Sequence, residues 1–127
     1  MVDKAEESHK TKVFIYGSIK CGFYNHSRFG FNQNTNFLGE AVLKRAKMYN
    51  LGSYPCIVLT ENENDLVYGE LYEYLDSETE RQIRLMEEGA GYKEVKIIIN
   101  GVEVKTFVFD KPPKSSTLIE SGKWTKH

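Results

Sequence analysis

Two places in this chain combine residue types and spacing that can do chemistry. The first is "VFIYGSIKCG", Val13 to Gly22, where an apolar run breaks into Gly17-Ser18 and again at Gly22. Backbone N–H groups in such a turn can converge as a nest that accepts a carboxylate or carbonyl oxygen. Glycine lets a ligand approach the main chain, and the Ser18 hydroxyl adds a donor or acceptor. A plain turn after a strand is the other reading of the same residues. The stretch is not a P-loop, because Lys20 lies too close to Gly17 and no Gly-Lys-Ser/Thr follows. The second place is Glu87-Glu88, at the end of a helix-forming segment. The negative end of a helix dipole disfavours an ionised carboxylate and raises its pKa, which suits a general base working near neutral pH. Two solvated charges at a frayed helix end are the alternative. Neighbouring side chains on a helix point about 100° apart, so at most one of the pair faces a pocket.

Other chemistry-bearing residues lack partners in the sequence. His26 can titrate near neutral pH but has no Asp or Ser at a matching spacing. Cys21 sits beside the glycine turn with no pattern of a nucleophilic triad around it. Tyr16, Tyr68, Tyr72 and Tyr92 fall on strand-like segments as core residues whose hydroxyls reach a cavity or water. Cys21 and Cys56 are too few for a disulfide framework, and no CxxC or histidine cluster suggests a metal site. The expectation is a reduced, cytoplasmic protein.

These residues must be held by a scaffold, and its pieces can be read along the chain. Residues 1–11 are polar and form a tail, and 12–127 form a single domain. Lys12–Tyr16 is the first, centrally buried strand. Phe23–Phe29 forms a helical turn, and Phe31–Asn36 is an amide-rich loop. Phe37–Asn50 has helical propensity, yet Phe37, Gly39, Ala41 and Leu43 alternate with larger residues, which favours strand. Leu51–Pro55 is a turn, Cys56–Thr60 a short buried strand and Glu61–Asp65 a charged connection. Leu66–Leu75 alternates and is aromatic-rich, with Gly69 marking a bulge or a close backbone approach.

The period then changes. Ser77-x-x-Glu80 has the form of a capping box and opens a helix that carries Thr79, Ile83 and Met86 on one face. Gly89 and Gly91 stop it. Tyr92–Ile99 and Val102–Phe109 flank Asn100-Gly101, a type I′ hairpin signal. Lys111–Ser116 is an exposed linker, and Leu118–Trp124 supplies three apolar anchors. Strands without regular βα alternation exclude a doubly wound sheet and indicate α+β with a curled or closed sheet.

Composition narrows the function classes. The 127 residues include 17 basic and 18 acidic ones for a net charge of −1, which gives no electrostatic pull toward nucleic acid or an anionic membrane. An RNA-binding small barrel is therefore disfavoured. No apolar run approaches the ~20 residues that span a bilayer, and "MVDKAEESHKTK" has no apolar core of a signal peptide. Aromatics make up 13% of the chain, enough bulk for a core without staples.

With those readings in place, "FIYGSIKCGFYNHSRF" resembles the opening motif of the γ-glutamyl cyclotransferase-like family: an apolar strand, Tyr-Gly-Ser/Thr-Leu, a basic residue, glycine, then Asn-His. The similarity continues in order through "FLGEAVLKRAKMYNLGSYPCIVL", "VYGELYEY", "GYKEVKI" and "LIESGKW", from about residue 12 to residue 124. The resemblance implies a small mixed β-barrel with flanking helices and a cavity at one mouth, between the first loop and the end of the main helix. It implies cleavage of γ-glutamyl amides to 5-oxoproline and a freed amine or amino acid, without a cofactor. The expected partner is a small γ-glutamyl substrate, with no nucleic acid and no membrane. Tyr16, Gly17, Ser18 and Ile19 match the family's binding loop, and Tyr92 is expected to line the pocket or orient the acid. The family glutamate aligns with Glu87 in "IRLME", with Glu88 as the alternative. Arg84 stands where the motif has Asp, and that departure leaves an inactive metabolite- or protein-binding module as the second expectation.

Overall fold

The computed structural model describes residues 11–17 and 34–125. Residues 1–10 of the expected tail, the Phe23–Phe29 turn, and Ser18, Ile19, Lys20, Cys21 and His26 lie outside the described residues. In chain order the elements are β1 (Lys12–Ile15), β2 (Thr35–Lys44), β3 (Ala46–Asn50), β4 (Pro55–Leu59), β5 (Leu66–Tyr74), α1 (Ser77–Gly89), β6 (Lys93–Ile99), β7 (Val102–Val108) and β8 (Thr117–Ile119).

The strands form two sheets. The larger has the order β2-β5-β1-β7-β6 and the smaller β4-β3-β8. All pairings are antiparallel except β1 with β7, so the sheet is mixed and β1 lies at its centre. The α+β class follows. The barrel, however, is open: β2 and β6 end the larger sheet and share no ladder. One break that permits this is Arg45, whose φ of 67° turns the chain between β2 and β3. The Phe37–Asn50 segment is thus strand, as its alternation indicates, but divided between two sheets. Thr35 and Asn36, expected in a loop, extend β2.

Two glycines explain how the strands pack. The register of β2 against β5 slips between Phe37 and Gly39, where Gly39 takes a φ of 123°. Gly69 keeps its register but sits so close to β1 that a Cβ there would lie 2.5 Å from the Ile15 carbonyl oxygen. The close approach, rather than a bulge, is what it supplies.

The helix is capped one residue earlier than its capping-box pattern suggests. Asp76 is the N-cap, and its Oδ1 accepts from the Thr79 amide at 2.7 Å. A short carboxylate side chain competes successfully with the Ser77 hydroxyl for this position. Thr79 and Ile83 are buried and Met86 is partly buried, so the expected face is the packed one. Lys105 on β7 reaches across to Glu80 at 3.0 Å and Glu94 at 3.9 Å, fixing α1 against the larger sheet. At Asn100-Gly101 both residues take positive φ, 53° and 78°, as a type I′ turn requires. Near the C-terminus, β8 pairs with β3 and Trp124 enters the core, while Leu118, expected as an anchor, is exposed.

The core has two parts. One, between the sheets, gathers Phe14, Leu43, Met48, Ile57, Val67, Val104 and Trp124. The other lies under the helix and includes Val13, Ile15, Cys56, Tyr72, Tyr74, Ile83, Tyr92 and Phe107. The alternation of β1 explains both: Val13 and Ile15 face the helix side and Phe14 the other, while Tyr16, just past the strand, packs with the Phe14 group and sends its hydroxyl to Phe107 of the helix-side group.

Candidate active site

Glu87 and Glu88 are separated by their position on α1. Thr79, Ile83 and Glu87 recur every fourth residue, so Glu87 continues the buried stripe of the helix. Glu88 is exposed. Burial pushes the Glu87 carboxyl from its ordinary 4.5 up to about 7.

The groups around Glu87 are hydroxyls. Tyr16, buried at the end of β1, has its phenol held well above the usual range, first by burial, then by Tyr92, Glu87 and Cys56. A main-chain hydrogen bond at Ile57 opposes that shift. Tyr92 is likewise raised by burial, then by Glu87 and by Cys56. Tyr74 is raised by burial first, with Glu80, Glu94 and Glu87 adding to it. One acid at the helix end thus shares a sheltered layer with three neutral tyrosines, an environment that favours its neutral form until the pH nears neutrality.

Both site tyrosines are anchored by their hydroxyls. Tyr16 donates to the Phe107 carbonyl at 2.6 Å. Tyr92 donates to the Pro55 carbonyl, and its ring meets Phe109 edge-on at 4.8 Å between centroids. Its amide donates to the Glu87 carbonyl at 3.0 Å, in the turn where Ala90 caps the helix and Gly91, at φ 100°, reverses the chain. Tyr92 is therefore a buried structural contact of the helix end.

Gly17 follows Tyr16 and lies against Pro55: a Cβ on Gly17 would come within 3.1 Å of the Pro55 ring. Pro55 opens β4, and Cys56, the next residue, is a free and fully buried thiol raised by burial to about 11. A thiol raised in this way is protonated at neutral pH, which disfavours it as a nucleophile. The arrangement joins Tyr16, Gly17, Glu87 and Tyr92 of the sequence-based set. Ser18 and Ile19 lie outside the described residues, and Glu88 points elsewhere. Pro55 and Cys56 were read only as turn and strand; their place beside Gly17 depends on contacts between residues far apart in the chain. Among the described residues no group of three or more His, Cys, Asp or Glu is placed to hold a metal ion. Nor, among these residues, is any helix long and apolar enough to cross a membrane.

A mixed sheet whose central strand leads through Tyr16 to Gly17, with a half-buried acid near Tyr16 at the end of one helix, defines an α+β protein with a candidate acid site. The comparisons supply the family. The profile of the family described as "Gamma-glutamyl cyclotransferase, AIG2-like" matches residues 13–126, and the chain belongs to that family. A Methanocaldococcus jannaschii protein named "Putative gamma-glutamylcyclotransferase MJ1514" is 32% identical over 114 residues, covering 87% of this chain and 92% of its own. A "Gamma-glutamylcyclotransferase family protein ytfP" of Citrobacter rodentium is 31% identical over 114 residues, covering 89% and 94%. The crystal structure of an AIG2-like protein from Mus musculus superposes with a TM-score of 0.75 at 19% identity over 92% of this chain and 89% of that one. The last likeness concerns the fold alone.

Proposed function

We propose that the protein is a γ-glutamyl-amide cyclotransferase that releases 5-oxoproline and an amine or amino acid, with Glu87 as its base. The observation that carries this reading is the half-buried carboxyl of Glu87 beside Tyr16 and Tyr92, with Gly17 next in the chain after Tyr16. A carboxyl with a midpoint of about 7 is about half ionised at neutral pH, so it can both take a proton and return one.

The reaction follows from those parts. The substrate's α-ammonium gives a proton to the Glu87 carboxylate. The freed amine attacks the γ-carbonyl carbon of the same molecule, and the carbonyl oxygen becomes an oxyanion. Main-chain N–H groups of the turn at Tyr16 to Ile19 are the proposed donors to the glutamyl carboxylate or to that oxyanion. The bond to the leaving nitrogen breaks as Glu87 returns its proton there. A second proton, lost by the ring nitrogen, balances the one the freed amine gains on becoming an ammonium. Nucleophile and electrophile belong to one molecule, so the protein's main task is to fold the substrate into a near-attack shape. The chemistry calls for no cofactor, and we assign it to the cytoplasm.

The test is release of 5-oxoproline from γ-glutamyl amines, γ-glutamyl dipeptides and glutathione. Turnover that depends on Glu87 is the expected result. Saturable binding of such compounds without turnover of any of them would replace the enzyme by a binding module, the reading that Arg84 in the motif position invites.

A further inference from the structure

We propose that Tyr92 is a positioning residue that locks the two halves of the site together through Pro55. The inference rests on the cyclotransferase reading for its kinetic consequence but not for its structural one. The two halves come from distant parts of the chain: Gly17 follows the central strand, and Glu87 ends the helix. Tyr92 touches both. Its amide holds the Glu87 carbonyl at 3.0 Å, which fixes the last turn of α1. Its hydroxyl holds the Pro55 carbonyl. The Pro55 ring in turn abuts Gly17, leaving so little room that a Cβ at Gly17 would sit 3.1 Å from Cγ and 3.2 Å from Cδ.

The strut is stiff at each joint. Tyr92 is buried and its ring is wedged edge-on against Phe109. The Phe109 amide is itself bonded to the Ile57 carbonyl at 3.0 Å, two residues beyond Pro55 on the same strand. Proline has a fixed φ, so a hold on its carbonyl also constrains where its ring lies. Loss of the phenol hydroxyl leaves the buried Pro55 carbonyl without this donor and frees β4 to shift against Gly17. Displacements well under 1 Å at such a point change the distance between Gly17 and the base.

The experiment uses the full chain and three substitutions. Tyr92→Phe removes the hydroxyl. Pro55→Ala keeps the carbonyl but removes the ring that touches Gly17. Thr106→Val is the control: it deletes a comparable buried bond, from Thr106 Oγ1 to the Phe14 carbonyl at 2.9 Å, outside the strut. In ¹H–¹⁵N spectra without substrate, the Gly17 amide is expected to move in Tyr92→Phe and in Pro55→Ala and to stay in place in Thr106→Val. In the 5-oxoproline assay kcat is expected to fall about tenfold to hundredfold in the first two, with KM within about twofold of the parent. The double substitution is expected to do no more than the worse single one, because the two act in series.

An unmoved Gly17 amide in Tyr92→Phe overturns the proposal, as does a kcat loss no larger than that of Thr106→Val. If Tyr92→Phe does not fold, Pro55→Ala decides by the same two readings. If the parent protein releases no 5-oxoproline, the cyclotransferase reading fails, and the Gly17 amide alone decides whether the strut exists.

Discussion

Replacing Glu87 by Gln is expected to make the protein more stable at pH 8 and to leave it nearly unchanged at pH 5. Burial raises the Glu87 carboxyl from 4.5 to about 7 in the folded state. Between those values the folded chain binds more protons than the unfolded one, so stability falls as pH rises through that window and levels off above it. The gap corresponds to about 3 kcal/mol at 1.36 kcal/mol per pH unit. Partial exposure of the side chain brings the expectation to about 2 kcal/mol. Glutamine has nearly the same shape and no charge, so it lacks this pH-dependent loss. The assay is urea unfolding of both proteins at pH 5 and pH 8 at one ionic strength. A difference between parent and variant that grows by about 2 kcal/mol from pH 5 to pH 8 is the expected outcome. An equal difference at the two pH values refutes the reasoning, because it means that the Glu87 charge is not buried. The expected outcome, by contrast, means that the acid is kept at a cost to stability, as expected of a group retained for chemistry.

The remaining predictions concern the scaffold and the pH response. Gly69→Ala places a Cβ 2.5 Å from the Ile15 carbonyl oxygen and 2.7 Å from the Phe14 ring, and is expected to destabilise by about 1–3 kcal/mol in urea unfolding. Asp76→Ala removes the helix cap and is expected to lose about 1 kcal/mol, with Asp76→Asn restoring most of it. For the reaction, kcat/KM is expected to rise as pH increases through about 7, following ionisation of Glu87; an initial-rate profile that is flat from pH 5.5 to about 8.5 contradicts this.

How much could be read from the sequence depended on whether a feature is local. Asn100-Gly101 dictates its own backbone angles, and the hairpin is where those two residues put it. Apolar spacing gave the helix face, since Thr79 and Ile83 need only their own periodicity to be placed. The acid was only partly legible: the helix pattern left Glu87 and Glu88 open, Glu87 came first through the family motif, and it is the fold that leaves Glu88 exposed and Glu87 half-buried. Asp76 was not legible, because Asp and Ser both cap helices and only the geometry at the helix start decides between them. The open barrel was hidden for a related reason: the positive φ at Arg45 has no glycine to advertise it. Pro55 was hidden more deeply. A proline after Ser53-Tyr54 reads as a turn, and its role beside Gly17 and Tyr92 depends on contacts 38 and 37 residues apart in the chain.

The most direct test of the account compares Glu87→Gln with Glu88→Gln in the release of 5-oxoproline from γ-glutamyl amides, at neutral pH and with folding checked by circular dichroism. The account predicts that Glu87→Gln abolishes measurable turnover while Glu88→Gln keeps it near that of the parent. Turnover that survives in Glu87→Gln, or is lost only in Glu88→Gln, contradicts it.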